Sequence, residues 1–171
     1  GQALGCDPAR DGKYQRPGRP LPTLAAIAQV LTDHSIDAYA EHVKLAQLTT
    51  LNIATGNTDA HARNHGLLIT NGATRLAPAY DVAPTIEFSN TKHAAMWVSG
   101  QDRLEQIRGV HLRLEAASWG PLRHDAGEII ATTATRLADA FEAAHADFPT
   151  VADHIVQRMR DRAHKLSETA V

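Results

Sequence analysis

The sequence predicts a mainly α-helical domain with one small β-hairpin beside a polar loop. Three observations predict it. Apolar residues recur at helical spacing through most of the chain. Asn71-Gly72 sits between two short apolar runs, Leu67-Leu68-Ile69-Thr70 and Ala73-Thr74-Arg75-Leu76, and both turn residues tolerate positive φ. A stretch dense in Asn, Asp and His, residues 56–66, separates a long apolar helix from that hairpin.

The elements follow in order. Residues 1–20 are rich in turn formers, with Gly5, Pro8, Gly12, Pro17, Gly18 and Pro20, and read as an irregular arm. Thr23 is a helix cap for Leu24 to Leu31, with Leu24, Ile27, Ala28 and Leu31 on one face. Asp37 caps a longer buried helix ending near Thr55, which Gly56 terminates. Pro78 and Pro84 bracket an irregular segment around Asp81. Leu104, Ile107, His111, Leu114 and Ala117 predict one helix face, ended near Gly120-Pro121. Ile129, Ile130, Thr133, Leu137, Ala140, Phe141 and Ala144 mark a long helix interrupted by Pro149. Val151, Ile155, Met159 and Leu166 mark a last helix, with Arg158, Arg160 and Arg162 directed mostly outward.

Size and composition bound the function. A chain of 171 residues with 43% apolar residues is one domain or one lobe of a larger assembly. Only 5% of residues are aromatic, so alanine fills much of the core and helices pack closely. A net charge of −2 carries no whole-domain signature of nucleic-acid or membrane binding. The single cysteine, Cys6, permits no internal disulfide and fits a cytoplasmic protein. No run of ~18 apolar residues marks a membrane span, and the N-terminus lacks the pattern of a secretory signal.

The polar loop carries the chemistry. In Gly56-Asn57-Thr58-Asp59-Ala60-His61-Ala62-Arg63-Asn64, Asp59 and Asn64 stand five residues apart, the interval found in a kinase catalytic loop. The hairpin leads to Leu76-Ala77-Pro78-Ala79-Tyr80-Asp81-Val82, which places a second carboxylate where kinases put a magnesium ligand. Phosphoryl transfer needs one carboxylate to orient the attacking hydroxyl and oxygen ligands for a phosphate-bridging Mg2+. On this pattern Asp59 is the candidate base, and Asn64 and Asp81 are the candidate metal ligands. Taken without the hairpin and Asp81, the same loop residues would as readily make side-chain turns to their own backbone.

Other chemistries fit less well. His61 and His65 have the four-residue spacing of a helical zinc motif, but Ala62 holds the position of its glutamate. No Gly-x-Ser-x-Gly elbow is present, and Cys6 has no adjacent base. The arginines at 158, 160 and 162 are diluted by Asp153, Asp161 and Glu168 and read as a solvated face.

The two stretches GNTDAHARN and LAPAYDVAPT resemble the C-terminal lobe of the HipA-type serine/threonine kinases, toxins of bacterial toxin–antitoxin pairs. Gln2-Ala3-Leu4-Gly5 with Lys13-Tyr14-Gln15, and Ala95-Met96 with Gly100, resemble the flanking segments of that lobe. The resemblance implies a kinase C-lobe-like helical fold over residues 21–171. It implies Asp59 as the catalytic aspartate and Asn64 and Asp81 as Mg2+ ligands. Tyr80 would lie beside the nucleotide, with Asn57, His61 and Arg63 as nucleotide- or loop-positioning residues. Arg63 stands where family members often carry lysine. Also implied are ATP as co-substrate, a protein serine or threonine as acceptor, a cytoplasmic location, and a helix-turn-helix antitoxin partner that contacts DNA itself. No glycine-rich phosphate loop and no Val-Ala-Ile-Lys strand is legible in the chain. The expectation is that the N-terminal lobe lies outside it and that the chain alone is a poor kinase. The competing reading is a non-catalytic interaction module, or a subunit completed by a second chain.

Overall fold

The structure is a computed structural model that describes residues 2–6, 12–18 and 22–171. Of the turn formers expected in the arm, Pro8 and Pro20 lie outside the described residues. Within the arm, Gln2–Leu4 forms one 3-10 turn.

Five helices follow among the described residues, and local caps set the N-terminal ends of the first two. Helix α1 spans Leu24–His34, and the Thr23 hydroxyl accepts from Ala26 N at 3.0 Å. Helix α2 spans Ala38–Thr55, with the Asp37 carboxylate accepting from Ala40 N. It stops at Gly56, whose φ of 86° is left-handed and whose N–H donates to the Asn52 and Ile53 carbonyls. Helix α3 covers Gly109–Ser118, α4 Ala126–Asp147 and α5 Asp153–Glu168. Leu24, Ile27 and Leu31 of α1 share one core with Leu45 and Ile53 of α2, Leu112 of α3, Ile130 of α4 and Leu166 of α5. Helix α4 packs along α5 and α2.

Two antiparallel strand pairs attach to this bundle. Strand β1, Leu67–Thr70, pairs with β2, Ala73–Leu76, in the expected hairpin. Asn71 and Gly72 turn it at φ of 52° and 79°. Glu41, buried in the first turn of α2, accepts from Leu76 N at 2.7 Å and so fastens the hairpin to the bundle. Strand β3, His93–Val98, pairs with β4, Gln101–Arg103, across Ser99-Gly100, with an irregular register between His93 and Val98. This second pair adds to the one hairpin expected. Its residues Ala94, Ala95, Met96 and Val98 are all buried.

The structure changes four details of the second half. Val151 is exposed and precedes α5, which begins at Asp153. Leu104 belongs to a 3-10 turn and Ile107 to the residues between that turn and α3, and Leu114 is exposed; the buried face of α3 is Leu112 and Ala116. On α4 the buried face is Ala126, Ile130, Ala134 and Ala138, while Ala140 and Ala144 are exposed. Arg162 points inward, donating from Nε to Ala54 O and from Nη2 to Thr55 O, each at 3.0 Å. The cause is the free carbonyls at the C-terminal end of α2, which need donors and attract a cation.

Candidate active site

The site is built where α2 ends. Gly56 turns the chain off the helix, and Asn57 enters the core fully buried. Its side-chain amide donates to Asn52 Oδ1 at 2.9 Å and to the Asp81 carbonyl at 3.1 Å. Its side-chain oxygen accepts from Asp59 N at 3.1 Å and from the Thr85 hydroxyl at 3.3 Å. One buried amide therefore ties the segment carrying Asp59 to the segment carrying Asp81. Thr85 reinforces the tie by accepting from Thr58 N at 2.7 Å. In this arrangement Asn57 makes loop-positioning contacts.

Residues Ala62–Asn64 form a 3-10 turn that sets Asn64 inward. Asn64 Nδ2 donates to Asp81 Oδ2 at 2.5 Å. Asn64 Oδ1 is buried and makes no hydrogen bond of ordinary length among the described residues, with the His61 side chain as its polar neighbour. Asp81 holds a left-handed φ of 56°, a conformation of some energetic cost outside glycine that clusters at functional sites. An unpaired amide oxygen beside an exposed carboxylate is an oxygen donor set of the kind a hard cation such as Mg2+ takes. The sequence placed Asn64 and Asp81 seventeen positions apart, and the fold brings them into contact.

Tyr80 is exposed, and its hydroxyl donates to the Arg63 carbonyl at 2.5 Å, which bridges the loop carrying Asp59 and the segment carrying Asp81. The Arg63 side chain is exposed. His61 is buried, with Nε2 3.9 Å from Asp59 Oδ1. Burial and the nearby Lys13 charge hold His61 below the ordinary histidine pKa, and Asp59 acts in the opposite sense. The His65 ring meets the His61 carbonyl at 3.1 Å instead of converging with the His61 ring. Among the described residues no group of three or more His, Cys, Asp or Glu side chains is arranged to hold a metal.

The sequence model of the HipA-like C-terminal domain matches residues 1–163. The chain belongs to that family. A curated relative is Sinorhizobium fredii (strain NBRC 101917 / NGR234) Y4mE, named "Putative kinase Y4mE", 31% identical over 87 residues, which are 51% of this chain and 20% of the relative. A solved relative is HipA of Shewanella oneidensis MR-1, in a complex with HipB and operator DNA. It superposes with a TM-score of 0.83 at 19% identity, covering 99% of this chain and 43% of that one. At that identity the match is one of fold. The chain spans less than half the length of either relative.

In this HipA-like domain the arm supplies residues that motif reading left out. Tyr14 donates from its hydroxyl to Asp59 Oδ1 at 2.5 Å, and Lys13 Nζ lies 3.5 Å from the same oxygen. The Tyr14 ring meets the His61 ring edge-on, centroids 5.6 Å apart. Burial alone would raise the Asp59 carboxyl; the Tyr14 hydrogen bond, with the neighbouring His61 and the Lys13 charge, outweighs it and holds the carboxyl below its usual range. Asp59 is therefore ionised at neutral pH, as a proton acceptor must be. The HipA-like domain also braces the loop from behind. Glu87, its side chain buried, accepts from Arg158 at 2.5 Å and from Arg162 at 3.3 Å, and Arg162 in turn holds the end of α2. Lys13-Tyr14 was visible only as a family-like segment, and Arg162 only as one member of a basic helix face. Spacing holds no signal for contacts between residues 46 or 108 positions apart.

Proposed function

We propose that this domain is the catalytic lobe of a serine/threonine protein kinase of a toxin–antitoxin pair, transferring the γ-phosphoryl group of ATP to a protein hydroxyl. The observation that carries the reading is the Asn64–Asp81 contact beside an unpaired Asn64 oxygen, tied by Asn57 to the loop that presents Asp59. An ordinary turn-forming loop has no need to hold two chain segments in this register.

Asn64 Oδ1 and the Asp81 carboxylate would hold Mg2+, which supplies charge neutralisation of the phosphates when bound. Asp59 orients the acceptor hydroxyl and takes its proton. His61, neutral at pH 7 and packed against Tyr14, fixes the position of the Asp59 carboxylate. Tyr80 closes the outer side of the loop, where the nucleotide would lie. A helix-turn-helix antitoxin is the proposed partner, with DNA contacted through it. The support is the fold shared with a HipA whose solved complex contains HipB and operator DNA. A cytoplasmic location fits this reading.

The test is phosphoryl transfer from γ-labelled ATP by the full-length protein, followed by phosphoamino-acid analysis of the products. Labelled phosphoserine or phosphothreonine, lost in Asp59→Asn, is the expected result. Absence of transfer by a folded full-length protein that still binds its antitoxin would replace the kinase with a binding module.

A further inference from the structure

We propose that Lys13 is a catalytic residue of this site, its ammonium binding the oxygens of the γ-phosphoryl group as that group passes to the acceptor hydroxyl. The proposal rests on Asp59 being the base.

The geometry comes from the way the arm is held. Lys13 O accepts from Ala62 N at 3.3 Å, which pins the lysine's own backbone to the catalytic loop. Gln15 N donates to Ala95 O at 2.9 Å, and Gln15 Oε1 accepts from Trp97 N at 2.9 Å. Three hydrogen bonds thus fasten a short polar segment between the loop and β3. The side chain between those anchors carries its ammonium to 3.5 Å from Asp59 Oδ1.

Stabilisation alone is a weak reason for this arrangement. The Lys13 and Asp59 side chains are 35% and 43% exposed. Ion pairs so open to water contribute little, and a long side chain loses entropy in holding one. Asp59, though not Lys13, lines a cavity of about 680 Å³ together with Tyr14, Arg16, Thr58, His93 and Trp97. An acceptor segment entering that cavity meets Asp59 with Lys13 beside it. Among the described residues, the polar contacts to the Asp59 carboxylate all go to Oδ1, which leaves Oδ2 for the acceptor hydroxyl. The loop's own cation, Arg63, is exposed, and its carbonyl is engaged by Tyr80 on the outer side.

The step balances with Lys13 stabilising charge and neither giving nor taking a proton. The acceptor oxygen forms a bond to the γ-phosphorus. The bond from that phosphorus to the bridging oxygen breaks, its electron pair leaving with ADP. The hydroxyl proton passes to Asp59. Charge on the transferring group is spread over its three equatorial oxygens, and reacting atoms meet at about 3–3.5 Å. A cation held 3.5 Å from the base is within reach of those oxygens. The adjacent Tyr14 hydroxyl, with the Asp59 charge, raises the Lys13 pKa, so the ammonium keeps its proton throughout.

The experiment uses the full-length protein and its Lys13→Met, Lys13→Arg and Asp59→Asn variants. Transfer from ATP to a serine/threonine peptide library gives kcat and KM. Calorimetry with MgADP, alone and with aluminium fluoride as a mimic of the transferring group, gives a readout independent of turnover. Lys13→Met is expected to lower kcat roughly hundredfold, as loss of one charge-stabilising donor does. The KM for ATP and the affinity for MgADP should stay within about threefold, with the extra affinity conferred by aluminium fluoride lost. Lys13→Arg should recover part of both. Lys13→Met with near-normal kcat, or with undiminished aluminium fluoride binding, overturns the role of Lys13 while Asp59→Asn still defines a kinase. Wild-type protein that transfers no phosphate removes the kinase reading and this role with it.

Discussion

Asn64 and Asp81 show how one amide and one carboxylate would divide the work at the proposed metal site. The Asn64 nitrogen steadies the Asp81 carboxylate, and its oxygen is left for something else. Asp81→Asn in the full-length protein keeps the shape but removes the charge, so Mg2+-dependent ATP binding and phosphoryl transfer should fall at least tenfold. Calorimetry with and without Mg2+ checks this, and normal activity would refute the ligand assignment. Gly56 is the second decisive residue. Its φ of 86° is left-handed, and a Cβ there would lie 2.7 Å from both the Arg162 guanidinium and Ile86. Gly56→Ala should lower the unfolding free energy by about 2 kcal/mol, read as a reduced urea midpoint at constant m.

Among the elements, α5 acts as the brace of the site. It sends Arg158 and Arg162 to Glu87 and ties the end of α2 to the segment after Asp81. Burial works to raise the Glu87 carboxyl, but the two arginine bonds outweigh it and hold the carboxyl below its ordinary range. A depressed carboxylate stabilises fully above its unfolded pKa of about 4.3 and loses that contribution as pH falls through the folded value. Glu87→Gln should therefore cost about 1–2 kcal/mol at neutral pH, since Arg158 is largely open to solvent. The gap to wild type should narrow below about pH 4 in unfolding curves taken across pH. A constant gap would exclude the charge as the cause. The α3–α5 junction is equally exacting. A Cβ on Gly109 would fall 2.1 Å from the Leu166 carbonyl oxygen and 2.5 Å from Ala170 N, both backbone atoms that yield only by moving α5. Gly109→Ala should destabilise by more than about 2 kcal/mol. Thermal unfolding of this variant checks it as a lowered Tm.

At the scale of the molecule, the domain presents the Asp59 loop, a second carboxylate and an open cavity on one bundle, and no glycine-rich phosphate loop is legible in its sequence. Purified by itself, the 171-residue chain should bind MgATP too weakly for calorimetry and transfer phosphate at under about 1% of the full-length rate, since phosphate contacts carry most of the transition-state stabilisation. Measurable ATP-dependent transfer by this chain, abolished in Asp59→Asn, would show that the lobe is self-sufficient.

The helix caps at Thr23 and Asp37, the stop at Gly56 and the Asn71-Gly72 hairpin were legible because each is decided by residues within four positions of one another. The order Asp59, Asn64, hairpin, Asp81 was legible for the same reason, since a loop and a two-strand turn set its spacing. The second strand pair escaped because His93–Val98 buries consecutive residues without alternation, and Ser99-Gly100 was its one turn signal. The arm's approach to Asp59, the inward turn of Arg162 and the Asn64–Asp81 contact were decided only by the tertiary structure. Each joins groups far apart in the chain, and the partner is chosen by which charge or unpaired carbonyl the folded bundle presents at that point.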